Sequence, residues 1–284
     1  MLMRLMTTTT ALTLTAGIAA ADGHASTMGY ALANDGMTLV AMDSIAAPAE
    51  AQMFDLAQKV DAIAYRPVTG DLLGYTNGAI FKINPATGEL TDLGATFADD
   101  AMIMDGATVA FDFNNAIDAV RAVATSGENL VYFPEGFGDM DDRANSVLRF
   151  TDLAYAEGDV NADVTPGVYA NAYTNAIAGA TAESTFQYAL DYNANALISL
   201  ANNAGTLETV AYLTVDGDTV DLSSMGGFDI VSPEVGTDAA YAILQMDGSE
   251  TAGLYAIDLE SGAATLLSDL GMGGITSFAV SMGM

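Results

Sequence analysis

The stretch from Tyr155 to Gly167, YAEGDVNADVTPG, holds the residues whose types and spacing come closest to a defined chemistry. Asp159, Asn161 and Asp163 alternate along it, as the oxygen ligands do at the first, third and fifth positions of an EF-hand calcium loop. These three side chains are therefore candidate metal ligands. Calcium is the candidate ion because it prefers oxygen donors.

The rest of the stretch departs from the calcium pattern. An EF-hand loop has glycine at its sixth position and a bidentate acid at its twelfth, whereas this chain has Val164 and Ala170 there. A self-contained calcium loop is therefore not predicted. Two alternatives remain: a partial site completed by carboxylates of a neighbouring element, or a structural connection in which Asp159 and Asn161 bond to backbone N–H groups.

Other chemistries are limited by the residue types that the sequence lacks. It has no cysteine, and its one histidine, His24, lies in or beside an N-terminal export signal, where we expect it to be removed or disordered. Ser-His-Asp and Cys-His catalysis and a typical zinc site are therefore not expected. Carboxylate-only chemistry, as in glycosidases or calcium-dependent lactonases and phosphatases, remains open because the chain has 37 Asp and Glu residues.

The charge of the chain restricts its partners. Only 7 Lys and Arg residues oppose the 37 acids, which gives a formal net charge of −30. Such a surface repels nucleic acids and anionic membranes, so we expect neither as a partner. Two of the few cations, Arg66 and Arg121, are each expected to make a structural ion pair. Anchoring of a ligand is the alternative role for both, and more so for Arg121 than for Arg66.

Residues 1–25 have the pattern of a secretory signal peptide: a positively charged start, then the uncharged stretch Leu5 to Ala20. Small residues allow cleavage after Ala21 or after Ala25, and an uncleaved membrane anchor is the alternative. No later segment is long and apolar enough to span a bilayer. We therefore expect an exported monomer, periplasmic or extracellular, in which residues 26–284 form one domain.

Two segments with the same pattern show how the chain is organised. Residues 79–94, AIFKINPATGELTDLG, and residues 253–271, GLYAIDLESGAATLLSDLG, each contain a β-type run, a turn with glycine, a second run and Asp-Leu-Gly. That pattern indicates a β-hairpin, and each hairpin follows two further β-type runs. Four strands per repeated unit indicate the blade of a β-propeller.

The rest of the chain divides into the same units and gives an all-β propeller of five four-stranded blades. Two further units begin near Thr108 and Gly167, and four runs remain: three near the N-terminus and one, ITSFAVSM, at the C-terminus. These four predict a blade shared by both ends of the chain, which removes an exposed sheet edge. Six blades, a β-sandwich or two separate β domains are the alternatives.

One face of the predicted propeller collects most of the candidate residues. In a four-stranded blade, the connection from an outer strand to the next inner strand lies on the same face as the turn between the second and third strands. The connection Tyr155–Gly167 and Asp105 therefore share that face with the turns Asn34–Met37, Thr76–Gly78 and Thr125–Asn129. By analogy with other propellers, ligands bind there around the channel mouth. Asp105, Asn129 and the cation Arg121 are therefore the candidate ligand-binding residues.

Two segments carry a resemblance to a known family. The segment FDFNNAIDAVRAVATSGENL and the segment LAYAEGDVNADVTPGVYANAYTN resemble the DUF4394 family of exported bacterial proteins. In the first segment the chain has the family's residues at Asp112, Phe113, Asn114, Asp118, Arg121, Val123, Gly127, Asn129 and Leu130. It departs at Asn115, where proline is usual, and at Ala119, where arginine is usual. The resemblance implies a propeller-like exported domain and no particular activity.

The sequence thus favours an exported, non-catalytic β-propeller that acts as a binding or interaction module for a small molecule, a cation or a protein. A calcium-dependent hydrolase with a carboxylate site at the channel mouth is the alternative. Three or more carboxylate oxygens that converge within metal-ligand distance near the channel would favour the hydrolase, whereas a ring of neutral or apolar side chains would argue against it.

Overall fold

The computed structural model describes His24 and residues 26–283. The predicted signal peptide lies outside these residues except for His24, whose Nδ1 is 2.9 Å from the hydroxyl oxygen of Tyr241. The described chain is all-β, with 24 strands and two short 3-10 turns at Pro48–Glu50 and Asn202–Ala204. No helix in this part of the chain is long and apolar enough to cross a membrane.

Five sheets surround a common axis, and each sheet is one blade of a propeller. Within a blade, the four main strands follow one another from the axis outward and pair antiparallel. Blade 1 contains β1 (Met28–Ala33), β2 (Thr38–Met42) and β3 (Gln52–Asp55). Blade 2 contains β4 (Ala62–Arg66), β5 (Asp71–Thr76), β6 (Ala79–Ile83) and β7 (Leu90–Asp92).

The other three blades begin with short additional strands, one each in blades 3 and 4 and two in blade 5. Blade 3 contains β8 (Thr96–Phe97), β9 (Val109–Asn114), β10 (Ala119–Ala124), β11 (Asn129–Phe133) and β12 (Ser146–Arg149). Blade 4 contains β13 (Ala154–Tyr155), β14 (Val168–Tyr173), β15 (Gln187–Asp191), β16 (Ala196–Ala201) and β17 (Thr206–Tyr212). Blade 5 contains β18 (Thr214–Val215), β19 (Asp218–Thr219), β20 (Leu222–Glu234), β21 (Thr237–Met246), β22 (Gly253–Ile257) and β23 (Ala263–Asp269).

The short strands β8, β13 and β18 explain the extra length of the later units. Each pairs parallel with the outer strand of its blade: β8 with β12, β13 with β17 and β18 with β23. The chain therefore leaves one blade, runs along the outer edge of the next, and only then crosses to the axis. Because the extra length is used in this way, the prediction of five blades is confirmed and the six-blade alternative is wrong.

The two ends of the described chain meet in blade 1. Strand β24 (Ser277–Ser281) is its inner strand and pairs antiparallel with β1. The inner strands β4, β9, β14, β20 and β24 are then neighbours around the axis. The predicted blade of three N-terminal strands and one C-terminal strand is confirmed, and the ring closes without a free edge between its two ends.

The hydrophobic core lies between the blades. Phe111 of β9 packs toward blade 2, where its ring centroid is 5.7 Å from that of Tyr75. Phe278 and Val280 of β24 share a core cluster with Ile243 of β21. Because residues alternate across a strand, each inner strand presents side chains to both neighbouring blades. The inner strands are consequently buried on both sides, and every residue of β14 is buried.

Candidate binding site at the channel mouth

The face that the sequence predicted for ligands has a cavity of about 490 Å³. It lies where the connections into the inner strands meet the turns of blades 1 and 2, at one end of the axis. Its polar lining consists of Asp35, Lys59, Asp61, Tyr75, Thr76, Asn77, Asp105, Thr108 and Thr276. Its volume is in the range of small-molecule sites in proteins.

The rim of this cavity is acidic. Three carboxylates line it against the single ammonium group of Lys59, whose Nζ lies 3.2 Å from Asp35 and 3.4 Å from Asp61. Burial lowers the pKa of Lys59, but the hydrogen bonds and charges of these two carboxylates outweigh it and leave the pKa above its ordinary value. Asp105 lines the same cavity and is exposed. The site therefore attracts positive charge.

The side chain of Asn77 fixes the connection that carries Asp105. Its Nδ2 donates to the carbonyl of Ile103 at 2.8 Å, and its Oδ1 accepts from the N–H of Ile103 at 3.0 Å. The hydroxyl of Tyr75 donates to the same Oδ1 at 2.9 Å. Oγ1 of Thr276, on the same lining, is buried and has no hydrogen-bond partner within the described chain. The wall of the cavity is thus ordered by side-chain bonds and presents one free polar atom.

The three residues predicted to bind a ligand do not lie together. Asp105 lines the mouth cavity, whereas Arg121 and Asn129 are buried between blades 3 and 4 and are 4% and 0% exposed. The Arg121 guanidinium donates to the Tyr173 hydroxyl at 3.0 Å and to Asn203 Oδ1 at 2.8 Å, and also to Asn129 Oδ1. Arg121 and Asn129 therefore join two blades and do not reach the mouth.

The prediction that Arg121 makes an ion pair is wrong, because its described partners are neutral oxygens. Arg121 is buried between blades 3 and 4, where the nearby oxygens belong to an amide of its own blade and to an amide and a phenol of the neighbouring blade. The same prediction is confirmed for Arg66, which pairs with both carboxylate oxygens of Asp118.

The candidate metal ligands of the Tyr155–Gly167 connection lie at the outer edge of blade 4. Asp159 Oδ2 accepts from the backbone N–H of Thr209 at 2.7 Å, and its Oδ1 accepts from the Thr209 hydroxyl at 2.7 Å. Asn161 donates its N–H to Asp159 at 2.8 Å and its side-chain amide to Thr209 at 2.9 Å. Asp163 is exposed. Of the two alternatives from the sequence, the geometry corresponds to the structural connection. The three side chains do not face one common ligand.

The wider search for a metal centre gives no cluster either. Across His24 and residues 26–283, no group of three or more His, Cys, Asp or Glu side chains is placed to hold a metal ion. The convergence of three carboxylates that would favour a calcium-dependent hydrolase is therefore not found in the described residues.

Two buried carboxylates inside the channel were missed in the sequence. Asp112 on β9 and Asp229 on β20 are both 5% exposed and line one small space at the far end of the axis. Burial raises the pKa of Asp229 to about 7. Burial and the charge of Asp229 raise the pKa of Asp112 well above its ordinary value. The sequence signal for both residues is the dipeptide Phe-Asp, which occurs in the middle of each of the two inner strands, in AFDFN and in GFDIV.

Each of these carboxylates also bonds to the inner strand of the next blade. Asp112 Oδ2 accepts from the backbone N–H of Tyr173 at 2.7 Å. Asp229 Oδ2 accepts from the N–H of Val280 at 2.7 Å, and its Oδ1 accepts from the N–H of Ile230 at 2.6 Å. The two side chains thus connect β9 to β14 and β20 to β24.

Comparison with solved structures finds similar chains at low identity. An auxiliary nutrient-binding protein from Bacteroides ovatus is 14% identical, with a TM-score of 0.42; the match covers 75% of this chain and 55% of that one. A chain of the nidogen–laminin complex is 12% identical, with a TM-score of 0.46, and coverage is 89% and 98%. A β-propeller domain from Myceliophteria thermophila is 10% identical, with a TM-score of 0.36, and coverage is 81% and 65%. This chain thus spans about half the length of the nutrient-binding protein.

A search among curated proteins found no match. The sequence profile of the domain of unknown function DUF4394 matches residues 37–279, which include all four inner strands from β4 to β20 and most of β24. The match covers most of the chain, and it contains both segments on which the resemblance was noted. The chain therefore belongs to the DUF4394 family.

Proposed function

We propose that this protein is an exported, non-catalytic binding module that holds a small organic cation in the mouth cavity. The observation that supports this proposal is the cavity itself: about 490 Å³ at one end of the axis, with three carboxylates against one ammonium group. A site of this volume accepts a small molecule, and its charge selects for positive ligands.

The lining favours a cation that also has an apolar part. Ile103, Met104 and Met225 line the cavity beside the acids, and Met104 is 65% exposed. Methionine side chains are flexible and adapt to different apolar groups. An alkylamine or a quaternary amine could place its charge near Asp61 and Asp105 and its carbon atoms against these side chains.

Export and organisation form part of the same proposal. Residues 1–25 act as a signal peptide, and residues 26–284 form one monomeric propeller in the periplasm or outside the cell. The net charge of −30 disfavours nucleic acid as a partner. A calcium-dependent hydrolase stays the alternative function, although none of the described acidic side chains form a group of three that is placed to hold a metal ion.

The test measures the binding of named probes to the mature chain. Putrescine, choline and arginine are the cations, and succinate and glucose are the anionic and neutral controls, first by thermal shift and then by calorimetry. We expect at least one cation to bind and succinate and glucose not to bind. Asp61→Asn and Asp105→Asn should each weaken that binding about tenfold, which corresponds to about 1.4 kcal/mol.

Asp139→Asn is the matched control. Asp139 is exposed in the turn between β11 and β12, which lies at the opposite face of the propeller, so its loss changes the net charge equally without touching the cavity. If no cation binds, or if all three variants weaken binding equally, the proposed function is wrong. Hydrolysis of a lactone or phosphate ester that EDTA abolishes would instead establish the alternative.

A further inference from the structure

The mouth cavity already contains one cationic group, the ammonium of Lys59. Its Nζ lies 3.2 Å from a carboxylate oxygen of Asp35 and 3.4 Å from one of Asp61. Asp35 belongs to the turn between β1 and β2, and Asp61 to the connection between β3 and β4. The structure therefore shows how two carboxylates from separate segments hold a primary ammonium group, which has three N–H donors.

Asp61 is held in place independently of Lys59. Its Oδ2 accepts from the hydroxyl of Thr76 at 2.8 Å, and its backbone N–H donates to the carbonyl of Tyr75 at 2.8 Å. Its side chain is 23% exposed. The carboxylate therefore keeps its position when one ammonium group beside it is exchanged for another.

Lys59 itself is held weakly. Its side chain is 48% exposed, and that of Asp35 is 83% exposed. Ion pairs with this exposure contribute little free energy, because water screens the charges and the long side chain loses freedom. The lysine stem is flexible, so its ammonium group can turn out into solvent. Another ammonium group could replace it at low cost.

The lining disfavours a quaternary ammonium group. Proteins hold such groups against the faces of aromatic rings. Tyr75 is the one aromatic side chain among the described residues that line the cavity. It is 1% exposed, its hydroxyl bonds to Asn77, and its ring packs against Phe97 and Phe111. Because this ring belongs to the core, the described lining offers carboxylates to N–H donors and no aromatic cage.

We propose that the mouth cavity binds a primary alkylamine whose ammonium group takes the place of Lys59 between Asp35 and Asp61. The alkyl chain lies against Met104 and Met225. Lys59 is then a specificity-determining residue: it fills the position when the ligand is absent and lowers the affinity by competing for it. This assignment rests on the proposed function and narrows its organic cation to the primary amines.

The first test compares two monocations with the same alkyl chain, butylamine and butyltrimethylammonium. They differ in that only butylamine has N–H donors. Calorimetry on the mature chain at neutral pH and physiological ionic strength should show butylamine binding at least about tenfold more tightly. Equal or tighter binding of butyltrimethylammonium overturns the assignment to primary amines and leaves cation binding at the mouth standing. Absence of binding by every cation overturns both.

Lys59→Met is the test variant for the competition. It should fold, shown by a melt without ligand near that of the unmodified protein, because Lys59 is half exposed. It should bind butylamine about three- to tenfold more tightly, since the competing ammonium group is gone. Lys59→Arg keeps the charge and the donors and should bind butylamine no more tightly than the unmodified protein.

Lys82→Met is the matched control. Lys82 makes a similar ion pair with Asp71, its side chain is 53% exposed, and it lies outside the cavity. Its loss changes the net charge equally, and the affinity for butylamine should stay within about twofold because distant exposed charges are screened. The proposal is overturned if Lys59→Met binds butylamine no more tightly than the unmodified protein, or if Lys82→Met gains as much.

Discussion

A carboxylate can accept hydrogen bonds from the backbone of an edge strand with the same oxygens that would otherwise bind a metal ion. The short strand β13 pairs with β17, and the N–H of Ala156 still donates to the carbonyl of Leu207 at 2.9 Å. Two residues further along β17, the N–H of Thr209 finds Asp159 instead of backbone. The side chain of Asp159 therefore continues the ladder of hydrogen bonds at the outer edge of blade 4.

Removal of this carboxylate should destabilise the protein. Asp159→Ala leaves the Thr209 N–H and hydroxyl without their acceptor, so we expect the free energy of unfolding to fall by about 1–3 kcal/mol. Asp163→Ala, in the same stretch but exposed, should change it by less than about 0.5 kcal/mol. Urea unfolding at neutral pH measures both. Equal effects of the two substitutions would contradict this role.

The effect of Asp159→Ala should also depend on pH. Burial alone would raise the pKa of Asp159, but the hydrogen bonds from Thr209 and Asn161 outweigh it and hold the pKa below its usual range. A carboxyl group of this kind stabilises the fold above its unfolded-state pKa of about 4, and the contribution is lost as the pH falls through the folded-state pKa. The difference between wild type and variant should therefore be full at neutral pH and shrink below about pH 4.

At the scale of elements, one turn positions part of the mouth cavity. Between β1 and β2, Asn34, Asp35 and Gly36 all have positive φ, at 52°, 55° and 79°. The carbonyl of Gly36 accepts from the N–H of Val60, directly beside Lys59. A Cβ added to Gly36 would lie 2.1 Å from the Val60 carbonyl oxygen. The turn can approach the next connection only because this residue is glycine.

Two alanine substitutions separate the contribution of that contact from backbone strain. Gly78 has a similar φ of 84° but open space around its added Cβ, so Gly78→Ala should cost about 1–2 kcal/mol from strain alone. Gly36→Ala should cost at least about 1 kcal/mol more, because it also displaces Val60. It should also weaken cation binding at the mouth, since Lys59 and Asp61 flank Val60. Chemical unfolding and calorimetry measure the two effects, and equal costs would contradict the packing argument.

At the scale of the whole molecule, β24 closes the ring. It brings Phe278 and Val280 into the core cluster with Ile243, and Ser277 Oγ accepts from the N–H of Ile63 in blade 2 at 3.0 Å. Burial of two large apolar side chains is worth about 1.5–3 kcal/mol each, a large part of a typical net stability of about 5–15 kcal/mol. The five blades are therefore expected to depend on this one strand.

Truncation tests this dependence. A chain that ends at Thr276 lacks β24, and we expect it to lose a cooperative thermal transition because blade 1 then exposes its inner edge to the axis. A chain that ends at Ser281 keeps β24 and should melt near the full-length protein. Circular dichroism with temperature is the measurement. A cooperative transition in the shorter chain would show that the ring does not need its closing strand.

The architecture could be predicted from the sequence because its signals are local. Runs of β-type residues, turns with glycine and the repeated Asp-Leu-Gly ending lie within a few residues of one another, and they count the blades correctly. The three-plus-one remainder likewise predicted the closing strand. The sequence alone also argued against a complete calcium loop, because Val164 and Ala170 stand where the loop needs glycine and a bidentate acid.

Which side chains meet was decided only by the tertiary structure. Asp112 and Asp229 lie far apart in the chain and line one small space because β9 and β20 both line the axis. Arg121, predicted at the ligand face, meets one amide of its own blade and one of the next blade instead. The physical reason is that alternation along a strand tells which residues share a side, whereas the packing of blades around the axis determines what that side contacts.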